Sequence, residues 1–251
     1  MPKAILLSKK DKNKNSTSPL QQISVDDDSA ELIKLINITK TYNLGKPNAF
    51  AALKGITLEI SKGTFTAIMG PSGSGKSSLM NILGALDVPT SGTYLVNGKE
   101  VNSLSDSQLA DFRNKTVGFI FQQYNLLPRL TVAENVLLPT LYGSISNPLD
   151  KMEELLSKVG LQDKINNKPN QLSGGEMQRV AIARALMMNP SIIMADEPTG
   201  NLDTRTSVEI MNLFNEIHKE GNTIILITHE DDIAAHAETT INIRDGLILN
   251  E

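Results

Sequence analysis

The sequence predicts an α/β fold in which a mostly parallel sheet forms the core, joined by an antiparallel β lobe and an inserted helical lobe. Three observations predict it. The runs "FTAIMG", "SIIMADEP" and "NTIILITHE" are apolar over strand length on both faces and end in polar, chemically useful residues, the pattern of central parallel strands covered by helices. "LIKLINITKTY" and "AALKGITLEISKG" are β-rich runs joined through "NLGKPN", which suits antiparallel neighbours. A helical stretch over roughly residues 125–190, interrupted by Pro128, Pro139, Pro148 and Pro169, separates the first two parallel strands and is too long for a simple crossover.

In chain order, residues 1–30 carry a lysine-rich half, an aspartate cluster and no apolar period, so we expect a disordered polar tail. Residues 31–251 then form a single unit with lobes, within the range that 251 residues allow. The formal net charge of -4 offers no polybasic surface, and nucleic acid is not expected as a partner. With no cysteine there is no disulfide framework and no thiolate metal site, so any metal is held by oxygen ligands. No window approaches the about 18 apolar residues of a membrane span, and "MPKAILL" is too brief for a signal peptide. A cytoplasmic location is the expectation.

"FTAIMG" leads into "GPSGSGKSS", which matches G-x-x-x-x-G-K-[ST] between a strand and the amphipathic run "KSSLMNILGAL". Gly70, Pro71, Ser72, Gly73, Ser74 and Gly75 would let backbone N–H groups converge on phosphate oxygens at a helix N-terminus. Lys76 reaches the β and γ phosphates, the Ser77 hydroxyl can ligate Mg²⁺, and Ser78 completes the motif. Farther on, "IIMADEP" places Asp196 at the end of a buried strand, where it can hold Mg²⁺, and Glu197 one residue on, where it can act as base or positioner for an attacking water. Gly70, Asp196, Glu197 and His229 all fall at carboxyl ends of predicted parallel strands, where ligands bind in open α/β sheets. The core is thus a P-loop ATPase. The guanine-reading pattern N-K-x-D is met only by "NKPN", Asn167 to Asn170, whose asparagine cannot accept both guanine donors as a carboxylate does, so ATP is the expected nucleotide.

Within the helical stretch, "QLSGGEMQRVAIARALMMNP" has apolar residues at Val180, Ile182, Ala183, Leu186 and Met187, yet its helix opens on Gly174 and Gly175, each costing about 1 kcal/mol against alanine. Bare glycines at a helix start let amides approach an anion, and Ser173 with Glu176 also forms the S-x-x-E of a capping box; the two explanations coexist.

"LSGGE" is similar to the signature of the ATP-binding cassette family, usually L-S-G-G-Q. Over roughly residues 32–248 the chain resembles the nucleotide-binding subunits of ABC transporters, and "AIMGPSGSGKSSLMNILGALDVPTSG", "GFIFQQYNLLPRLTVAENVLLP" and "ADEPTGNLD" look most like the macrolide-exporter and lipoprotein-release branch. The resemblance implies that Tyr42 stacks on adenine, that Gln122 senses Mg²⁺ and the γ-phosphate, that Asp203 lies at a subunit interface and that His229 contacts the γ-phosphate. A tyrosine packed in the β lobe, the neighbouring Gln123, a turn aspartate and a structural histidine are the plainer alternatives. It also implies that Ser173, Gly174 and Gly175 contact ATP held by a second copy of the chain, in an ATP-dependent homodimer.

The implied function is the ATP-hydrolysing subunit of an exporter or a lipoprotein or peptide extruder, peripheral on the inner face of the membrane and coupled to a separate permease. A non-transporting regulatory complex, as in cell division, would keep the same motifs. Leu126, Leu127 and Leu130 either line a groove that receives the permease or serve the core.

Overall fold

The computed structural model describes residues 31–249; the tail expected over residues 1–30 lies outside them. In order the elements are β1 (Glu31–Tyr42), β2 (Phe50–Ser61), β3 (Phe65–Met69), α1 (Lys76–Leu83), β4 (Ser91–Val96), β5 (Lys99–Glu100), α2 (Asp106–Thr116), β6 (Val117–Phe121), α3 (Val132–Leu137), α4 (Pro148–Lys158), α5 (Gly174–Leu186), β7 (Ile192–Asp196), α6 (Thr204–Lys219), β8 (Thr223–Ile227), α7 (Asp231–Ala234), β9 (Thr239–Arg244) and β10 (Leu247–Leu249). A four-stranded sheet has the order β2-β1-β4-β5 and is antiparallel throughout. The six-stranded sheet has the order β10-β9-β3-β8-β7-β6, parallel from β9 to β6 with β10 antiparallel at its edge.

The doubly apolar strands behave as their composition requires. Along β7, Ile192 and Met194 face the core shared with the antiparallel sheet, while Ile193 and Ala195 face the core under the helices; along β8, Ile225 and Ile227 take the first side and Ile224 and Leu226 the second. Alternate side chains therefore enter two different cores, and both faces are apolar except at the strand ends, where β8 begins with the buried Thr223 and β7 closes on Asp196. Helix α1 lies in the first core through Leu79, Met80, Ile82 and Leu83, between the two sheets.

Five strands, β4, β5, β6, β9 and β10, and the helices α2 and α7 were not among the sequence expectations. β6 is the far edge of the parallel sheet, paired with β7 from Val117 to Phe121, and β9 adds a strand on the other side of β3. α2 buries only Leu109, so its apolar period is too weak to read; its capping box, Ser105 with Gln108, was the usable signal. In the helical stretch, α3, α4 and α5 share one core with the parallel sheet: Met152, Leu155, Val180, Ile182, Ile120 and Ile193 form a single cluster. β6 and α5 approach so closely that a Cβ on Gly118 would lie 2.5 Å from the Ala185 carbonyl oxygen.

Candidate functional site

The loop from Gly70 to Gly75 connects β3 to α1 and is shaped by what lies behind it. A Cβ on Gly70 would come within 2.1 Å of the Ile243 carbonyl oxygen in β9, and one on Gly75 within 2.7 Å of the Ala52 carbonyl oxygen in β2, so both positions exclude any side chain. On its outer side the loop is open: Pro71, Ser72, Gly73 and Ser77 are exposed, and a Cβ on Gly73 would meet nothing within 4 Å. Lys76 forms no ion pair among the described residues; its ammonium donates to the carbonyls of Gly70 at 2.6 Å and Pro71 at 3.0 Å, holding the loop curled over it. The Ser74 hydroxyl is buried without a partner. Helices α2, α3, α4, α5 and α7 carry Asp106, Glu134, Asp150, Glu176 and the pair Asp231 and Asp232 in their first turns, whereas α1 has no acidic residue there. Its positive end is left uncompensated, as an anion site requires.

The exits of β7 and β8 bring the catalytic candidates together. Asp196 ends β7, and burial pushes its carboxyl above the usual range, with the neighbouring Glu197 charge adding to the rise and Lys76 opposing it. Asp196 pairs with Phe121, the residue before Gln122, and its carboxylate, the Gln122 amide oxygen and the exposed Ser77 hydroxyl are the hard-oxygen donor types that suit Mg²⁺. Among the described residues no three histidine, aspartate or glutamate side chains cluster as a metal site. Glu197 adopts a left-handed backbone, φ 44°, and its amide donates to the Ile227 carbonyl at 2.8 Å. His229 Nδ1 lies 2.8 Å from Glu197 Oε1. Since an ionised carboxylate only accepts, Nδ1 carries the proton.

Gln122 follows β6, and its side chain packs over Gly200, where a Cβ would be 2.5 Å from Nε2; Asn201 donates to its backbone carbonyl at 2.9 Å. Gln123 is exposed, so Gln122 is the glutamine turned toward the Glu197 loop. Tyr42 ends β1 with its hydroxyl 3.3 Å from Ser78 Oγ, over the first turn of α1. The start of α5 borders a different set of residues: Cβ atoms on Gly174 and Gly175 would meet Tyr124, Leu202 and Thr206. Here Ser173 Oγ accepts from the Glu176 amide and Glu176 accepts from the Ser173 amide at 2.7 Å, a complete capping box that turns the carboxylate back. That bond is the main reason its carboxyl sits below the usual range. Asp203 caps α6, accepting from the Thr206 amide and hydroxyl.

Three residues that the motifs do not mark also hold this region. Gln178, fully buried on α5, donates to the Pro198 carbonyl at 2.8 Å, and its Oε1 has no partner. Lys164 lies 3.8 Å from Glu176. Arg184 donates to the carbonyls of Tyr124 and Asn125, two consecutive residues in left-handed conformation just after Gln122. Their partners are 12, 20 and about 60 residues away, beyond any local pattern. A groove of about 860 Å³ runs beside Arg184 between α2, β6 and the helical stretch, lined by Leu86, Phe119, Phe121, Leu127, Leu138 and Tyr142 among others. Leu127 lines it and is 48% exposed, Leu126 packs into the helical core, and Leu130 does not line it.

The ABC transporter family model matches residues 53–200. The chain is 50% identical over 221 residues to the macrolide export ATP-binding/permease protein MacB of Chlorobium luteolum, an alignment taking in 88% of this chain and 33% of that protein, so it spans about a third of that relative's length. It is 52% identical over 223 residues to the uncharacterized ABC transporter ATP-binding protein YvrO of Bacillus subtilis, covering 88% of this chain and 97% of that one. Among solved structures, the dimeric post-hydrolysis state of the ATP-binding cassette MJ0796 bound to ADP and Pi superposes with a TM-score of 0.79 at 44% identity, covering 87% of this chain and 97% of that chain.

Proposed function

The chain belongs to the ABC transporter family, and on that premise we propose that it binds and hydrolyses ATP as a homodimer and drives a membrane permease. The observation that carries the reading is the meeting of an open, anion-ready phosphate loop with the Glu197–His229 pair at the ends of neighbouring parallel strands. In this reading the loop amides and Lys76 hold the phosphates, Tyr42 receives the adenine, and Ser77, Gln122 and Asp196 hold Mg²⁺. Bound Mg²⁺ supplies neutralisation of the phosphate charge. Glu197 takes a proton from the attacking water through the carboxylate oxygen that His229 leaves free, and its left-handed backbone is a cost of about 1–3 kcal/mol accepted to aim that oxygen. With Nδ1 committed to Glu197, His229 donates from Nε2 to a phosphate oxygen only as the imidazolium.

Ser173, Gly174 and Gly175 are proposed to close on ATP held by the second copy. The glycine start of α5 and the turned-back Glu176 support this, as does the dimeric form of the MJ0796 neighbour. The apolar groove with Leu127 on its wall is proposed to receive the permease, and similarity to a macrolide export protein supports an export role. No helix among the described residues is long and apolar enough to cross a membrane, which suits a peripheral place on its inner face. The same proposal takes residues 31–251 as one unit with a helical lobe at about 125–190.

Glu197→Gln tests it. Purified wild-type chain should release phosphate from Mg-ATP, and the variant should bind ATP, accumulate as a dimer and turn over at least a hundredfold more slowly. Near-normal hydrolysis by the variant rules out Glu197 as the base. If no membrane protein co-purifies with the chain from detergent extracts, the permease reading falls.

A further inference from the structure

Lys40 stands outside every motif considered so far, yet it is one of the most enclosed lysines of the described chain, its side chain 11% exposed. Its ammonium donates to Asp87 Oδ1 at 2.6 Å and to the Val88 carbonyl at 2.8 Å, and it lies 5.0 Å from the centroid of the Tyr42 ring. An ammonium has three N–H donors; two go to oxygens and the third is left for the ring face. The separation is within the about 6 Å over which a cation is held by an aromatic face. Asp87 is itself fixed, accepting from the Val88 amide at 2.8 Å.

We propose that Lys40 is a positioning residue for base recognition: clamped by Asp87 and Val88, its ammonium backs one face of the Tyr42 ring and presents the other face to a purine. This rests on the reading of Tyr42 as the adenine platform. Tyr42 is the last residue of β1, followed by Asn43 in left-handed conformation and an exposed turn through Ala49, so the strand end alone does not fix its ring. Two outside references do. The hydroxyl is set by Ser78 on α1, and the ring face is set through Lys40 by the turn that follows α1. Ser78 lies on the helix that begins at the phosphate loop, and the Asp87 turn is tied back to that helix by the Leu86 and Asp87 amides, which donate to the Asn81 carbonyl at 2.7 and 3.0 Å, so base and phosphates are gauged from one connected element. The cation also draws density from the ring, which lessens repulsion against an electron-rich purine on its far face.

The test separates the base from the phosphates. Binding of ATP and of inorganic tripolyphosphate, which lacks a base, is measured by titration calorimetry, whose heat signal does not depend on Tyr42. Tyr42→Ala should weaken ATP at least tenfold and tripolyphosphate less than twofold. Lys40→Met, which keeps the apolar stem, should weaken ATP roughly threefold to tenfold with tripolyphosphate unchanged, and Lys40→Arg should restore ATP binding. Should Lys40→Met fail to fold, Asp87→Asn, which keeps the ammonium but loosens its clamp, is read by the same criteria. Unchanged or tighter ATP binding in Lys40→Met, or equal loss of both ligands, overturns the role of Lys40 while leaving Tyr42 as platform. If Tyr42→Ala binds ATP as well as the wild type does, the platform reading itself falls, and this proposal with it.

Discussion

Glu176 departs from the glutamine usual in the signature, and its replacement by that glutamine tests how the start of α5 meets an anion. A carboxylate facing a phosphate at about 4 Å in an effective dielectric of about 20 would be repelled by roughly 4 kcal/mol, close to a thousandfold in affinity. The structure removes most of this. Glu176 is tied to the Ser173 amide at 2.7 Å, and Lys164 stands 3.8 Å from its carboxylate with both side chains about a third exposed. A paired, half-solvated surface charge retains at most about 1 kcal/mol, or roughly fivefold. Glu176→Gln keeps the bond to Ser173 and should therefore retain turnover and tighten ATP-dependent dimerisation by up to about fivefold. Lys164→Ala should weaken dimerisation by a similar factor. Because the two fields add, the double variant should return to the wild-type value, and the differences of the two single variants should shrink at high salt. Sedimentation of the variants in the hydrolysis-stalled Glu197→Gln background reads the association, and phosphate release without that change reads turnover. Ser173→Arg fills the approach and should abolish dimerisation. A hundredfold shift, or loss of turnover in Glu176→Gln with Ser173→Arg silent, would mean that the carboxylate faces the phosphates and would refute the reasoning. The same bond has a pH signature. Since the Ser173 amide holds the Glu176 carboxyl below its ordinary value of 4.5, its contribution to stability is complete above that pH and is lost as pH falls through the lowered value. Glu176→Gln should flatten that acid limb.

Asp196→Asn should abolish hydrolysis yet raise the Tm of the nucleotide-free protein by a few degrees. Burial and the Glu197 charge disfavour its carboxylate, a cost that grows as pH rises from 3.8 through the raised value and stays constant above it; a fall in Tm at neutral pH would show that its contacts stabilise it instead. Tyr94→Phe removes the hydroxyl that donates to the Leu83 carbonyl at 2.5 Å at the end of α1, leaving a buried acceptor unpaired. It should cost about 1–3 kcal/mol in chemical unfolding with no change in KM for ATP, and a change in KM would show that α1 had moved.

The parallel strands and the phosphate loop were legible because their signals are local. A doubly apolar run, a glycine spacing and a strand-end carboxylate can each be read within ten residues, and the expected α/β class with its antiparallel lobe is the one observed. β6 was not read as a strand because "VGFIF" is short, contains a glycine and half-exposes Phe119 and Phe121, which stack on each other at 5.6 Å on the sheet's edge side. Its glycine reports the approach of α5, a contact 67 residues away in the chain that no pattern within the strand can show. The same holds at the site. Lys76, Glu197 and His229 sit in motifs, whereas Lys40, Lys164 and Gln178 matter through partners that only folding brings near.

One of those partners, Pro198, lies in the short turn from Glu197 to Asp203, where several anchors meet. Glu197 is anchored to β8 through the Ile227 carbonyl and to His229 through its side chain, while Gly200 donates back to the Glu197 carbonyl at 3.1 Å. Asn201 reaches the backbone of Gln122 at the end of β6, Asp203 caps α6, and Pro198 accepts from Gln178 on α5. The bond between Gln178 and Pro198 is fully buried, so breaking it costs about 1–3 kcal/mol with no water to take its place. Any tilt of α5 that brings Ser173 toward an anion must either pay that cost or carry Pro198 with it. Carrying Pro198 moves Glu197, its chain neighbour, whose strained backbone has little freedom to absorb the displacement. The end of α5 that is expected to sense one nucleotide is therefore mechanically linked to the carboxylate that is expected to act on the other.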